Sequence, residues 1–336
     1  VEPALLDAGN RTEIERYVVA RGLARADALP IAVERAGAGN MNLALRVTPA
    51  AGASFILKQG RPWVEKYPQI AAPFERTLVE AAFYAEVQRE PRVASLMPAV
   101  LDVDAENHVL ALEDVGRGGD FTTVYADAAI PAATVAALLE WLERLATVAV
   151  AADRRALFAN RAMRSLNHEH MFRFPLLEAN GLDLDAITPG LKDAARELSA
   201  DRAYCDAVAT LGHRYLADGV TLVHGDYFPG SWLNAGGAIR VIDPEFCFLG
   251  DAEFDCGILA AHLLLAGCGA GLLDMVVQSA RARRLDRALV GGYAGVEIMR
   301  RLIGVAQLPL TAGAQRKKEL LHHSRRLVVE PHKGLG

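Results

Sequence analysis

The sequence predicts an α+β fold in two lobes, a small β-rich lobe over residues 1–115 and a large, mainly helical lobe over 116–336. Three observations carry this. Strand-like runs separated by turn residues fill most of the first third of the chain. Helical periodicity dominates everything after it. A polar, Gly-rich stretch over residues 113–120 marks the change. With 336 residues, the chain is long enough for two cores.

The elements follow in order. Residues 11–22 have the spacing of an amphipathic helix, with Ile14, Tyr17 and Val18 on one side. Runs at 31–35, 43–47 and 55–58 read as strands, joined by a turn at Gly37-Ala38-Gly39-Asn40 and another over 48–53. Strand, turn, strand, turn, strand is an antiparallel meander. A helix is predicted over 72–88, with Pro73 near its start and Pro91 ending it. Two further strands, 99–103 and 109–112, complete a five-stranded sheet. Beyond the linker, helices are predicted over 131–151, 153–166, 191–216, 255–266, 271–283, 286–306 and 315–328. Short strands at 221–223 and 238–242 interrupt them.

Composition excludes several classes. The apolar fraction is 52% and the charged fraction 23%, as in soluble globular proteins. A net charge of −5, without interleaved basic and aromatic residues, argues against a nucleic-acid partner. The most apolar stretch, 256–269, is broken by Gly257, His262 and Gly267 and falls short of the ~20 residues that span a bilayer. It is expected to be a buried helix. Cys205, Cys247, Cys256 and Cys268 form no C-x-x-C pair, and the N-terminal residues lack a basic start and an apolar run. The expectation is a cytoplasmic protein with reduced thiols and no membrane contact.

The chemistry concentrates in two acidic clusters. His224-Gly225-Asp226 follows the strand at 221–223, and Asp243-Pro244-Glu245 ends the strand at 238–242. Phosphoryl transfer from ATP needs one carboxylate to orient and deprotonate the attacking hydroxyl and others to hold Mg²⁺. Asp226 suits the first role, and Asp243 with Glu245 the second, because Mg²⁺ prefers hard oxygen ligands. Taken singly, either Asp could simply cap a turn. Together with Lys58 and the glycine turn two strands ahead of it, they form a kinase pattern.

These residues resemble the aminoglycoside phosphotransferase and choline kinase superfamily, which has the protein-kinase-like two-lobe fold. The matching pieces are Gly37-Ala38-Gly39-Asn40-Met41-Asn42, Phe55-Ile56-Leu57-Lys58-Gln59, Val79-Glu80-Ala81, His224-Gly225-Asp226, Val241-Ile242-Asp243-Pro244-Glu245-Phe246 and Met299-Arg300-Arg301-Leu302-Ile303-Gly304. The Asp-Pro-Glu-Phe and Arg-Arg runs are most similar to the 5-methylthioribose kinase branch. The resemblance implies ATP and Mg²⁺ as cofactors, and it allows a homodimer. It implies that Gly37, Gly39, Asn40 and Asn42 cover the phosphates. Lys58 would contact the α- and β-phosphates and pair with Glu80, or alternatively Glu86. The backbone of Glu113 and Val115 would face adenine. Arg300 and Arg301 would neutralise charge on the transferred group, and Asp255 would brace the His224-Gly225-Asp226 loop, although by itself it reads as the N-cap of the helix that follows. Ser231 stands where many relatives have a metal-binding Asn, as it does in methylthioribose kinases, and Glu245 would supply the second carboxylate.

Tyr227-Phe228-Pro229 departs from the family, which usually has Leu-His and a small residue there. Phe228 and Trp232 are expected to bring aromatic bulk beside the catalytic loop and to alter the acceptor pocket. From the resemblance, the acceptor expected first is nonetheless a small sugar, 5-methylthioribose. The alternatives are a 5-deoxypentose, an aminoglycoside or a choline-like amino alcohol. Acids at Glu178, Asp183, Asp185 and Glu197 could serve a polycation, whereas Arg300 and Arg301 argue against one. A catalytically dead nucleotide-binding protein is disfavoured by the presence of Lys58, Asp226, Asp243 and Glu245 together.

Overall fold

The computed structural model describes residues 3–37, 41–333 and 335. The chain divides into two compact units, Val1–Gly118 with Arg240–Glu245, and Gly119–Ile239 with Phe246–Gly336. The segment Arg240–Glu245 thus belongs with the first unit, although the sequence pattern groups it with the helical part.

The first unit is built on a five-stranded antiparallel sheet. Its strands are β1 (Ile31–Arg35), β2 (Leu43–Pro49), β3 (Phe55–Gln59), β6 (Val100–Asp104) and β7 (Val109–Glu113), in the spatial order β1-β2-β3-β7-β6. Between β3 and the main helix runs a hairpin of β4 (Trp63–Val64) and β5 (Tyr67–Ala71) that the sequence pattern does not reveal. Pro68 and the polar residues around it mask its alternation.

Alternation sorts the side chains of β2 and β3 onto two faces. Leu45, Leu57 and Ala111 sit in register across the sheet and share a core with Ile14 and Val18 of the Arg11–Ala20 helix. Lys58, one position on, pairs in register with Ala44 and Leu110 on the opposite face. That face meets the helix Arg76–Val87, which starts four residues later than the 72–88 pattern predicts. Pro91 does not merely end that helix. It opens a short one, Pro91–Ala94, at the position where a missing N–H costs least.

The second unit centres on two buried helices, Glu253–Ala266 and Arg287–Ile303. A Cβ added at Gly257 would lie 2.7 Å from the Val290 carbonyl oxygen, so glycine is what lets these helices approach. Three predicted helices differ from the observed ones. The 131–151 helix ends at Leu145. Of 153–166 only the last six residues are α-helical: two 3₁₀ turns, Ala152–Arg154 and Leu157–Ala159, come first, and Asn160 at φ 41° precedes the helix Arg161–His168. The 191–216 helix is two, Leu191–Ala200 and Arg202–Leu216, because Asp201 leaves the helix and caps the second one through the Tyr204 N–H, 3.1 Å away. Among the described residues, no helix is long and apolar enough to cross a membrane. All four cysteines are free thiols.

Candidate functional site

Two polar clusters stand out, one in each unit. In the first unit, Lys58 is buried, with its Nζ 2.7 Å from Glu80 Oε2 and 2.8 Å from Asp243 Oδ1. Burial alone would lower the Lys58 pKa, but the Asp243 and Glu80 carboxylates raise it on balance, so the side chain stays an ammonium. Glu86, one and a half turns further along the helix, pairs instead with Arg89 at 2.8 Å. Asp243 is half-exposed and holds a φ of 62°, a left-handed conformation that is uncommon for a residue with a Cβ. Glu245 is buried and accepts a 2.6 Å hydrogen bond from the Asn42 amide.

The residues that the resemblance assigns to the phosphate turn and the linker belong to the same unit. Gly37 has φ 75°, which favours glycine. Gly39 and Asn40 lie outside the described residues. Glu113 ends β7, and its side chain accepts from the Ala99 N–H at 3.0 Å. Val115 is partly exposed. Between them, Asp114 is fastened by Arg46 at 2.7 and 3.0 Å and by Ser54 at 2.6 Å. Burial opposes ionisation of Asp114, yet these donors hold its pKa at about 2. The sequence offers no sign of this anchor beyond an acid in a polar linker.

In the second unit, the Asp226 carboxylate has its Oδ1 3.3 Å from Arg301 Nη2 and 3.8 Å from Arg300 Nη2. Burial raises the Asp226 pKa, and the two guanidiniums only partly offset this. Asp255 braces the preceding turn, accepting the backbone N–H of His224 at 2.6 Å and of Gly225 at 3.0 Å. Burial lifts its pKa to about 6 despite those bonds. Ser231 donates its hydroxyl to the Asp226 carbonyl at 2.9 Å.

A second layer behind Asp226 escaped the sequence reading. Glu297 receives Arg301 Nε at 2.6 Å, Arg300 Nη1 at 3.2 Å and His262 Nε2 at 3.0 Å. Burial would raise the Glu297 pKa, but the two arginines hold it well below the usual range. Burial pushes His262 down to about 4, so the ring is neutral near pH 7. An ionised Glu297 only accepts, which assigns the proton to Nε2. The Tyr125 hydroxyl, 2.6 Å from Nδ1, is then the donor. A His and a Glu inside otherwise apolar helices are the available clue, since buried polar groups require partners.

The aromatic residues divide. Tyr227 and Trp232 are core residues: Tyr227 stacks on Trp141 with centroids 5.2 Å apart and donates its hydroxyl to the Leu138 carbonyl, and Trp232 is fully buried against it. Trp232 therefore adds no bulk to an acceptor pocket, contrary to the sequence-based expectation. Phe228 is partly exposed and lies against Arg301.

Among the described residues, no group of three or more His, Cys, Asp or Glu is gathered to hold a metal. Asp243 and Glu245 still fit Mg²⁺, which commonly takes one or two protein carboxylates and fills its remaining positions with phosphate and water.

Comparison with known proteins agrees in family and fold. A family model described as the phosphotransferase enzyme family matches residues 32–293. Methylthioribose kinase of Pectobacterium atrosepticum is 29% identical over 274 residues, 76% of this chain and 66% of that protein. Methylthioribose kinase of Erwinia tasmaniensis is 27% identical over 83% of this chain and 82% of that protein. The chain spans just under two thirds of the length of the Pectobacterium relative. Among solved structures, a spectinomycin phosphotransferase in complex with ADP and spectinomycin superposes with a TM-score of 0.56 at 11% identity, covering 96% of this chain and 98% of that one. Plasmodium vivax ethanolamine kinase gives 0.56 at 10% identity, covering 99% and 90%. These likenesses establish the α+β, protein-kinase-like fold, and the family match covers well over half of the residues: this chain belongs to the phosphotransferase enzyme family.

Proposed function

We propose that the chain transfers the γ-phosphoryl group of ATP to a hydroxyl of a small, uncharged sugar, with 5-methylthioribose as the leading acceptor. The observation that carries this is the pairing of Asp226 with Arg300 and Arg301 at 3.8 and 3.3 Å. Two guanidiniums beside the candidate base disfavour a cationic acceptor such as an aminoglycoside or choline. The acids that could serve a polycation are otherwise engaged or exposed: Asp183 caps the Ala186 N–H and Asp185 accepts from the Gly190 N–H. The methylthioribose kinase names of the relatives favour that sugar over other pentoses.

The roles divide between the two clusters. Lys58, held by Glu80, contacts the α- and β-phosphates. Gly37, Gly39 and Asn40 cover the phosphates, with Asn42 contributing its backbone alone because its side-chain amide is committed to Arg76 and Glu245, and the backbone of Glu113 and Val115 meets adenine. Asp243 and Glu245 hold Mg²⁺, which when bound neutralises phosphate charge, and Ser231 supports the nucleotide side. Burial makes Asp226 a stronger base than an exposed carboxylate, so it takes the proton of the acceptor hydroxyl as that oxygen bonds to phosphorus and ADP departs. Arg300 and Arg301 stabilise the phosphoryl oxygens, a task suited to planar guanidinium forks.

The test is ADP release measured with methylthioribose, other pentoses, aminoglycosides and choline. Methylthioribose should support turnover, and Asp226→Ala should abolish it while ADP still binds. Turnover with an aminoglycoside or choline and with no sugar overturns the acceptor assignment.

A further inference from the structure

Arg76 carries no motif and opens a helix, where an arginine is ordinarily solvated. Here it is 1% exposed. Its Nε donates to Asn42 Oδ1 at 2.7 Å. Nη1 donates to the Arg61 and Pro73 carbonyls at 2.6 Å each, and Nη2 to those of Met41 at 2.6 Å and Trp63 at 3.2 Å. A guanidinium has five N–H groups, and five bonds leave none over. Four of the acceptors are backbone carbonyls, so the guanidinium fastens the end of the glycine turn, the hairpin segment and the helix start at one point. Its nearest carboxylate is Glu245, with Oε2 3.5 Å from Nε.

Asn42 links the two. Its Oδ1 faces the arginine, which can only donate, so its Nδ2 faces Glu245 Oε2, at 2.6 Å. Arg76 therefore fixes the amide orientation, and the amide fixes one carboxylate oxygen. The guanidinium and the Lys58 ammonium also place a positive charge beside each of Glu245 and Asp243. A bare divalent cation gains little from carboxylates already balanced in this way. A cation carrying nucleotide phosphates gains more, because the phosphates supply the missing negative charge.

We propose that Arg76 is a positioning residue that, through the Asn42 amide, orients Glu245 and so makes the first unit selective for a nucleoside diphosphate or triphosphate in complex with a divalent cation. This rests on the reading of Asp243 and Glu245 as metal-facing. Arginine is required over lysine, whose three donors cannot reproduce five bonds in a planar fork.

The experiment is calorimetric titration of ADP into the wild-type chain, Asn42→Ala and Arg76→Lys, each with excess Mg²⁺ and with EDTA. Losing a residue that orients a metal ligand typically weakens metal affinity by about 10- to 100-fold. Asn42→Ala should therefore weaken ADP binding at least tenfold in Mg²⁺ and by less than about twofold in EDTA. Arg76→Lys should show the same split. Because Arg76 is buried, that variant can fail to fold, and Asn42→Ala, which keeps the four carbonyl bonds of Arg76, then decides alone. Equal losses with and without Mg²⁺, or no loss, overturn the proposal. Failure of the wild-type chain to bind ADP in either buffer overturns instead the phosphotransfer reading on which it rests.

Discussion

The guanidinium carbon of Arg301 lies 4.5 Å from the centroid of the Phe228 ring. Arg301 is thereby held on three sides, by the ring, by Glu297 at Nε and by Asp226 at Nη2. The aromatic ring beside the His224-Gly225-Asp226 turn thus acts on the arginine that approaches the candidate base, and it is part of what aims that arginine.

Phe228→Leu keeps an apolar side chain and removes the π face. A cation–π contact of this kind contributes about 0.5–2 kcal/mol. The expected result is a kcat lowered by roughly 3- to 30-fold, with the affinity for ADP unchanged, because the ring acts on Arg301, which is assigned to the transferred group rather than to the nucleotide. Steady-state kinetics and ADP titration check it. A loss confined to ADP affinity would mean that Phe228 does not act through Arg301.

The second unit should respond to acid in two opposed ways. Asp255 titrates at about 6 when folded, against ~3.9 unfolded. Its carboxyl keeps a proton that the unfolded chain has released, so its contribution to stability is full below pH ~4 and is lost as the pH rises through 6. His262 titrates at about 4 when folded, against ~6.5 unfolded. Its contribution is full above pH ~6.5 and is lost as the pH falls through 4. Relative to wild type, Asp255→Asn should gain stability as the pH rises from 4 to 6. His262→Gln should lose it as the pH rises from 4 to 6.5. Urea denaturation at three pH values measures both differences. Parallel curves for all three proteins would show that neither group is perturbed as described.

Glu80 and Glu86 separate two readings that their positions alone leave open. Breaking a buried ion pair typically costs about 3–5 kcal/mol, because the remaining charge is left without its partner. Asp243 still accompanies Lys58 after Glu80→Gln, so the expected loss is at the lower end, about 3 kcal/mol, with ADP affinity falling at least tenfold. Glu86→Gln should leave ADP affinity within twofold, since Glu86 faces Arg89. Denaturation and ADP titration check both. Equal effects of the two substitutions on ADP affinity would remove the distinction.

Local chemistry was legible in the sequence, and long-range partnership was not. The meander declared itself because turn residues punctuate β-branched and apolar runs, and the buried helix Glu253–Ala266 because its run is too apolar and too short for anything else. The hairpin of β4 and β5 lacks alternation, and the break at Asp201 hides inside a pattern that stays helical on both sides. Arg76 shows why the site was only partly readable. Its five acceptors are mostly carbonyls, which every residue possesses, so no side-chain pattern announces them. Trp232 illustrates the reverse error, since an aromatic beside a functional loop can equally fill the core beneath it. His262 and Glu297 sit 35 positions apart on different helices, and only the packing of those helices makes them one network.

Gly225 carries the strictest steric requirement in the His224-Gly225-Asp226 turn. Its φ is 86°, a conformation that costs an L side chain roughly 1–2 kcal/mol. A Cβ there would also lie 2.1 Å from the Phe246 carbonyl oxygen and 2.5 Å from its carbonyl carbon. Backbone atoms cannot rotate away as a side chain would, so Gly225→Ala must displace either the turn or the 246 segment. Displacing the turn stretches the two N–H bonds to Asp255 and moves Asp226, which follows directly in the chain. The substitution should cost several kcal/mol in urea denaturation, on the order of the strain plus a lost buried hydrogen bond. Turnover should drop by at least about 100-fold, since misplacing a reacting group by an ångström has that effect. Asp255→Asn, which retains one acceptor, should fall between wild type and Gly225→Ala in turnover. A Gly225→Ala protein with wild-type stability and rate would mean that the turn does not take this conformation in solution.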